Sequence, residues 1–264
     1  MPLSITELKS LRTLLTRKGR RKHSAFLAEG VRLLEEAIRH RFYPRAVYYA
    51  PSLLSTRGEK LVERFGQKHA ELVQLPVRQF ETLTDTKTPQ GIVARFDIIH
   101  HELDELLTTK TRNILVCENI SDPGNIGTLL RSALAFEFKL VLLCGSCVEP
   151  YSPKVVRSSM GAIFGVRSVK IEYDTLNQFV EKYSGTIIAS GLEGKSWKAC
   201  YSQIRSARPR LLVVGSEAGG LSEEMRSLAS VILRIDHSRQ VESLNVAVAG
   251  SIIMKQIYDS FVDR

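Results

Sequence analysis

The amino-acid sequence predicts an α/β protein, with a small α/β domain at the front and a larger, mostly parallel-sheet α/β domain behind it. Three observations lead there. Short apolar runs rich in Ile, Val and Leu alternate with helical patterns along the chain, the order that parallel sheets with covering helices produce. A polar stretch without a firm period, DIIHHELDELLTTKT at residues 97–111, interrupts the alternation. Charge divides at the same place. Residues 1–96 hold 18 Lys and Arg against 9 Asp and Glu, whereas residues 97–264 hold 19 of each, so the net charge of +9 sits at the front. The expected division is residues 1–96, a join over 97–111, and residues 112–264.

In the first domain, Ser4 followed by Glu7 makes a capping box ahead of Leu8, Leu11, Leu14 and Leu15, whose spacing is that of an amphipathic helix. RKGRRKHS follows, then the short apolar FLAEG, the helical VRLLEEAIRH, the strand-like RAVYYA, a helical stretch near 57–68, and strand-like ELVQL and GIVARF. In the second, NILVCENI, KLVLLC, GVRSVKI, GTIIAS and RLLVVG read as buried strands separated by helical segments, which puts helices on both faces of a parallel sheet. The last helix, about 243–261, is apolar nearly all round in its first half, LNVAVAGSIIM. A helix without a polar face needs covering on both sides, which favours a homodimer through this helix over burial within a monomer.

No run of about 18 apolar residues is present, and the start MPLSITELKSLRTLL lacks the order of a signal peptide, so a soluble cytoplasmic protein without a membrane partner is expected. Four cysteines, Cys117, Cys144, Cys147 and Cys200, are too few and scattered for a disulfide scaffold. Cys144 and Cys147 form one CxxC, but no second pair completes a zinc site, and they read as structural thiols. The basic front of the chain fits a polyanion, nucleic acid first, or else a solvated face.

Three loops carry chemistry. SDPGNIGTLLRSALAF, residues 121–136, opens with a turn and then a helix whose N-terminus is open for an anion. Within it Asn125 can brace a loop, Gly127 allows close backbone approach, and Arg131 presents a charged fork suited to phosphate or an oxyanion. The same segment also reads as a helix start with one surface Arg. LLVVGSEAGGLSEEM, residues 211–225, is a strand, a glycine-rich turn and a helix, the usual ligand position in an open α/β sheet, with Glu217 inside the turn; it is not GxGxxG and equally reads as a tight turn. RIDHSRQVESLNVAVAGSII, residues 234–253, joins a polar loop to the last helix, with Ser243 in the N-cap region and Asn245 just inside; both also read as plain capping residues.

Together these segments resemble the SpoU-TrmH family of RNA ribose methyltransferases, of the SPOUT superfamily. The pattern NxGxxxRxA is met by Asn125, Gly127, Arg131 and Ala133, the second motif by Gly215, Glu217 and Gly220-Leu221-Ser222, and the third by Glu242-Ser243-Leu244-Asn245-Val246. PYSPKVVRSSMGAIF from Pro150 also looks like the family's pattern, and SLRTLLTRKGRRKHSAFLAEGVRLLEEA resembles its substrate-binding domain, similar in fold to ribosomal protein L30e. The resemblance implies a C-terminal trefoil knot and S-adenosylmethionine as cofactor. It implies catalytic roles for Arg131, Glu217, Asn245, Ser243 and Asn125, and cofactor contacts at Gly215, Ile235, Leu244, Gly220 and Leu192. Arg17, Lys18, Arg20, Arg21, Lys22 and Arg157 are the implied RNA contacts. The chain departs from the family after Ile235, where Pro and Met usually follow and Gly stands further along: here are Asp236, His237 and Arg239, and Ala218 replaces a usual Gly.

The implied reaction moves a methyl group to a ribose 2′-hydroxyl in structured RNA, ribosomal RNA favoured over tRNA, and its chemistry requires no metal. A guanidinium is a poor base, so Arg131 is expected to stabilise the forming alkoxide or grip the adjacent phosphate, with the proton's destination open. Two other readings stand beside it. ASGLEGKS, residues 189–196, resembles a P-loop with Ala for its first Gly. A noncatalytic RNA-binding protein of the same fold is the second.

Overall fold

The structure, a computed structural model, describes residues 3–100, 112–183, 185–207, 209–216, 219–238 and 240–262. By contact the chain forms two compact units, one of Met1–His100 with Glu149–Phe164, the other of His101–Val148 with Gly165–Arg264.

The first unit is built on four strands, β1 (Ala25–Glu29), β2 (Ala46–Tyr49), β3 (Glu71–Gln74) and β4 (Ile92–Asp97), in the order β1-β4-β2-β3. Only β2 and β3 run parallel; β4 lies antiparallel to both its neighbours. Ser4 caps the helix Ile5–Thr13 by accepting from the Glu7 amide, while the Glu7 side chain accepts from the Ser4 amide. Phe26, Phe42, Phe96 and Phe164 form a connected aromatic cluster with ring centroids 5.0 to 6.4 Å apart, and Tyr151 lies 4.8 Å from Phe26. This explains why 149–164, placed by sequence order within 112–264, belongs by contact to the first unit: Tyr151 and Phe164 complete its core.

RKGRRKHS contains a short helix, Arg17–His23, capped by the Thr16 hydroxyl on the Gly19 amide. Gly19 is required there, since a Cβ would lie 2.0 Å from the Thr13 carbonyl oxygen. The helix sorts its cations. Arg17, Lys18, Arg21 and Lys22 are exposed, but Arg20 is 3% exposed and corrects the expectation of an RNA contact. Its Nε and Nη2 donate to Glu149 at 3.2 and 2.5 Å, and Nη1 donates to the Leu14 carbonyl at 2.9 Å. Arg157, also expected on RNA, is exposed in this unit and pairs loosely with Asp85 at 3.5 Å.

The second unit holds six parallel strands, β5 (Asn113–Glu118), β6 (Leu140–Cys144), β7 (Arg167–Ile171), β8 (Thr186–Ser196), β9 (Arg210–Val214) and β10 (Val231–Arg234), in the order β10-β8-β9-β5-β6-β7. The chain lays down β5, β6 and β7 in one direction, then β8 apart from them, and β9 fills the place between β8 and β5. The carboxyl ends of β5 and β9 therefore flank the point where the order reverses, where open α/β sheets bind ligands. β10 was not expected from sequence because it is short, with Ile232 half-buried and Arg234 exposed, as befits an edge strand.

ASGLEGKS proves to be strand. Residues 189–196 lie within β8, whose partner β10 jumps register from Ala189 to Lys195 across Ile232 and Leu233, so this stretch is a wide bulge rather than a phosphate-cradling loop before a helix. That removes the P-loop reading. Of the CxxC cysteines, Cys144 is buried at the end of β6 and Cys147 is partly buried in the loop after it: Cys147 Sγ donates to the carbonyls of Cys117 and Cys144 at 3.2 Å, and burial pushes the Cys144 thiol up to about 12. Among the described residues no helix is long and apolar enough to cross a membrane.

Arg20→Ala leaves Glu149 and the Leu14 carbonyl without their donor, so a loss of about 3 kcal/mol or more in urea denaturation is expected. Lys18→Ala, at an exposed site, should shift stability by no more than about 0.5 kcal/mol. Equal stabilities would show that Arg20 acts at the surface after all.

Candidate functional site

At the carboxyl end of the six-stranded sheet lies a cavity of about 320 Å³, walled by four stretches of the second unit. Ser190 to Glu193 come from the β8 bulge; Val214 to Ser216 and Gly219 to Leu221 follow β9; Ile235 and His237 follow β10; Ser243, Leu244, Val246 and Ala249 lead into the last helix. Two glycines permit this closeness. A Cβ on Gly215 would sit 2.2 Å from the Gly220 carbonyl oxygen, and one on Gly194 would sit 2.5 Å from that of Ile232. Ser216 and Gly220 then exchange backbone hydrogen bonds at 3.0 and 2.9 Å, with Gly220 at φ +62°, closing the turn into a wall of backbone N–H and C=O groups.

Behind this wall stands a residue that sequence reading missed. Glu118, the last residue of β5, is fully buried and accepts from the Ser222 amide at 3.0 Å, the Ser222 hydroxyl at 2.6 Å and the Tyr173 hydroxyl at 2.7 Å. Ser222 in turn caps the helix Glu223–Ser227 through the Met225 amide. Burial first, then the Glu118 hydrogen bond, pushes the Tyr173 hydroxyl well above its ordinary value, so it stays protonated and donates. Asn119 accepts from the Ser146 amide at 2.8 Å and donates to Tyr173 at 3.2 Å, tying the end of β6 into the same network. The one available signal was an acid ending an otherwise apolar strand.

Of the expected cofactor residues, Gly215, Gly220, Ile235, Leu244 and Leu192 all line the cavity, as does Ser243. Leu192 is 59% exposed, a large apolar side chain on the rim. Asn245 is the true cap of the helix Val246–Val262: its Oδ1 accepts from the Ala247 and Val248 amides at 3.0 and 3.3 Å, two residues beyond the Ser243 position expected from sequence. Its Nδ2 donates to Asn125 Oδ1 at 3.0 Å, which brings the first and third motifs together.

The helix Pro123–Ala135 corrects one expectation. Its first turn is capped by its own chain, the Asp122 carboxylate accepting from the Asn125 amide at 2.8 Å, which sets a negative group where an anion was expected. Arg131, further along this helix, is exposed and does not line the cavity. Glu217, Ala218 and Arg239 lie outside the described residues. Among the described residues no group of three or more His, Cys, Asp or Glu is placed to hold a metal ion.

Comparison with known proteins agrees with this geometry. The pattern of the SpoU rRNA Methylase family matches residues 112–255, and that of an MRM3-like substrate binding domain matches residues 6–94. The chain is 29% identical over 255 residues to RlmP of Bacillus subtilis, a 23S rRNA guanosine 2′-O-methyltransferase, covering 94% of each. Among solved structures it resembles a TrmH-family protein from Porphyromonas gingivalis, with 30% identity, a TM-score of 0.80 and coverage of 97% and 98%. It shares the fold of an AdoMet-bound rRNA methyltransferase from Sinorhizobium meliloti, with 24% identity, a TM-score of 0.81 and coverage of 98% and 97%.

Glu118→Gln keeps the shape but turns an acceptor into an amide that faces groups already donating. It should lower stability by about 2 kcal/mol, more than Tyr173→Phe, which leaves the Ser222 contacts in place. Urea titrations of both variants check the ranking, and the reverse order would remove Glu118 as the anchor of the loop.

Proposed function

Because the chain belongs to the SpoU rRNA Methylase family, we propose that it transfers a methyl group from S-adenosylmethionine to a ribose 2′-hydroxyl in ribosomal RNA. The observation that carries this reading is the cavity at the sheet's reversal point, walled by the second and third motif loops and joined to the first through Asn125 and Asn245. The 2′-O-methyltransferase activity of the Bacillus subtilis relative supports it, and so does the AdoMet-bound state of a protein with the same fold.

The residues present fit the cofactor. A volume of about 320 Å³ lies within the range of small-ligand sites, and walls that exclude a Cβ at Gly215 offer backbone donors and acceptors to a nucleoside. Gly215, Gly220, Ile235 and Leu244 would hold it, with Leu192 covering the rim. When bound, it supplies a methyl group already activated on a sulfonium.

The chain's own task is alignment and charge. Asn245 is fixed at its carbonyl by the helix it caps and at its amide by Asn125, so it presents a rigid edge beside the cavity. Ser243 adds a hydroxyl in the lining, and the second motif contributes Glu217 by its place in the sequence. Arg131, exposed on the motif helix, is suited to meet RNA: its guanidinium stabilises the forming alkoxide or grips the adjacent phosphate. Arg17, Lys18, Arg21 and Lys22 supply general phosphate attraction from an exposed helix that carries no acid. The knotted course of the C-terminal segment and a homodimer through the last helix complete the proposal; Val248, 46% exposed on that helix, is the apolar surface such a partner would cover.

Purified protein incubated with S-adenosylmethionine and unmodified rRNA should add one alkali-resistant ribose methyl group, and RNA binding without transfer would favour the noncatalytic reading. Arg131→Lys keeps charge but loses the planar fork, so single-turnover methylation should slow about a hundredfold while cofactor affinity holds. A near-normal rate would move the catalytic assignment to Asn245 and Glu217. Sedimentation at micromolar concentration should show twice the chain mass of 29.6 kDa, and a monomer would count against the dimer.

A further inference from the structure

The helix Trp197–Ser206 carries Trp197, Tyr201 and Arg205 at intervals of four, a single stripe beside the buried pair Cys200 and Ile204. The stripe is organised. The rings of Trp197 and Tyr201 meet edge to face with centroids 5.9 Å apart at 72°, and the Arg205 guanidinium lies 5.8 Å from the Tyr201 ring centre. Tyr201 is 36% exposed, and Trp197 is half-buried, so the aromatic surface is fixed at its root and open outward. Lys198 is exposed on the same helix and Lys195 just before it, and the helix contains no acidic residue.

Register places the head of this stripe, Trp197, at the rim of the cavity, and the helix then runs back toward the amino end of the sheet, where Arg210 of β9 donates to the Ile204 and Arg205 carbonyls. Ser196 of β8 pairs with Arg234 of β10 in parallel, so the next residues on the two chains are Trp197 and Ile235, and Ile235 lines the cavity. Aromatic faces interleaved with cations are the surface that single-stranded nucleic acid uses: bases stack on the rings while phosphates meet the charges. A helix that only covered the sheet would need Cys200 and Ile204 inward but not a preorganised aromatic and cationic row outward.

We propose that Trp197, Tyr201 and Arg205, with Lys195 and Lys198, form a stacking platform for an unpaired stretch of the substrate RNA that leads away from the target nucleotide along this helix. This rests on RNA being the substrate, and it adds to the second unit an RNA contact of its own, separate from the basic helix Arg17–His23. The platform's work is to hold flanking bases splayed from their stack so that one ribose reaches the cavity.

Trp197 is the only tryptophan in the chain, which makes it the probe. Titrating full-length protein with a short single-stranded oligoribonucleotide should quench its fluorescence, whereas heparin, a polyanion without bases, should not. Tyr201→Ala, at an exposed position, should weaken oligonucleotide affinity and raise the KM for rRNA about tenfold, the scale of one lost base stack. S-adenosylmethionine affinity and the rate at saturating RNA should hold, and Tyr201→Phe should restore binding. Wild-type methylation with no quenching, or with Tyr201→Ala unaltered in KM, would overturn the platform and leave the methyltransferase reading standing. Equal quenching by heparin would overturn it too, as would a Tyr201→Ala variant altered only in sedimentation, since the stripe would then be a protein interface. Failure of the wild type to bind or methylate any RNA would overturn both proposals.

Discussion

The site depends on one buried acid. Glu118 stands at the end of β5, where the strand order turns, and receives three hydrogen bonds from groups that belong to two other parts of the unit. Burying a carboxyl in an apolar sheet end is costly unless its oxygens are satisfied, so the fold gains stability from having Ser222 and Tyr173 in place. Ser222 follows the glycine-rich turn directly. Holding it therefore holds the turn, and the backbone wall of the cavity takes its shape from a requirement of the core rather than from any contact with ligand.

The same logic explains why the opposite wall is strand. β8 could not pair continuously with β10 and also reach over the cavity, and the bulge between Ala189 and Lys195 resolves the conflict. Gly194 lets the bulge rejoin the ladder against the backbone of Ile232, where any side chain would collide. The ladder then resumes for Leu233 and Arg234, so the residue after it, Ile235, arrives at the cavity in fixed position. Two parallel strands with one interruption thus make both a wall and a rim.

Much of this was legible in the amino-acid sequence, because apolar runs report burial and parallel strands are buried on both faces. The strands β5, β6 and β9 follow from that rule and the capping box at Ser4 from local chemistry, whereas β7, expected as a buried strand, lies at the sheet edge with only Ile171 buried. β10 escaped because an edge strand of four residues lacks the pattern, and the bulge escaped because GLEGKS mimics a loop when its partner strand is unknown. Arg20 was misread for a different reason. Within the run RKGRRK every cation looks alike, and only the fold reveals that one of them points inward to Glu149, contributed from far along the chain. Glu118 and Tyr173 were invisible for the same cause: their meaning lies in a pairing between distant segments.

Charge placement is the last consequence of the proposed chemistry. RNA attracts cations strongly at all its phosphates, yet the methyl donor is itself cationic at sulfur, so a uniformly basic enzyme would draw its substrate while repelling its cofactor. The chain separates the two demands. All of its excess charge is in residues 1–96, and residues 97–264, which include the whole cavity, are balanced. Among the described lining residues Arg226 is answered by Glu193 at 3.5 Å. With screening confined to about 8 Å at physiological salt, a cationic ligand experiences chiefly the charges nearest the cavity, whereas the exposed cations of Arg17–His23 act on a polymer that extends far beyond one screening length. Under this reading the asymmetry first seen in composition is neither a solubility feature nor a simple RNA tag, but the means by which one chain binds partners of opposite sign.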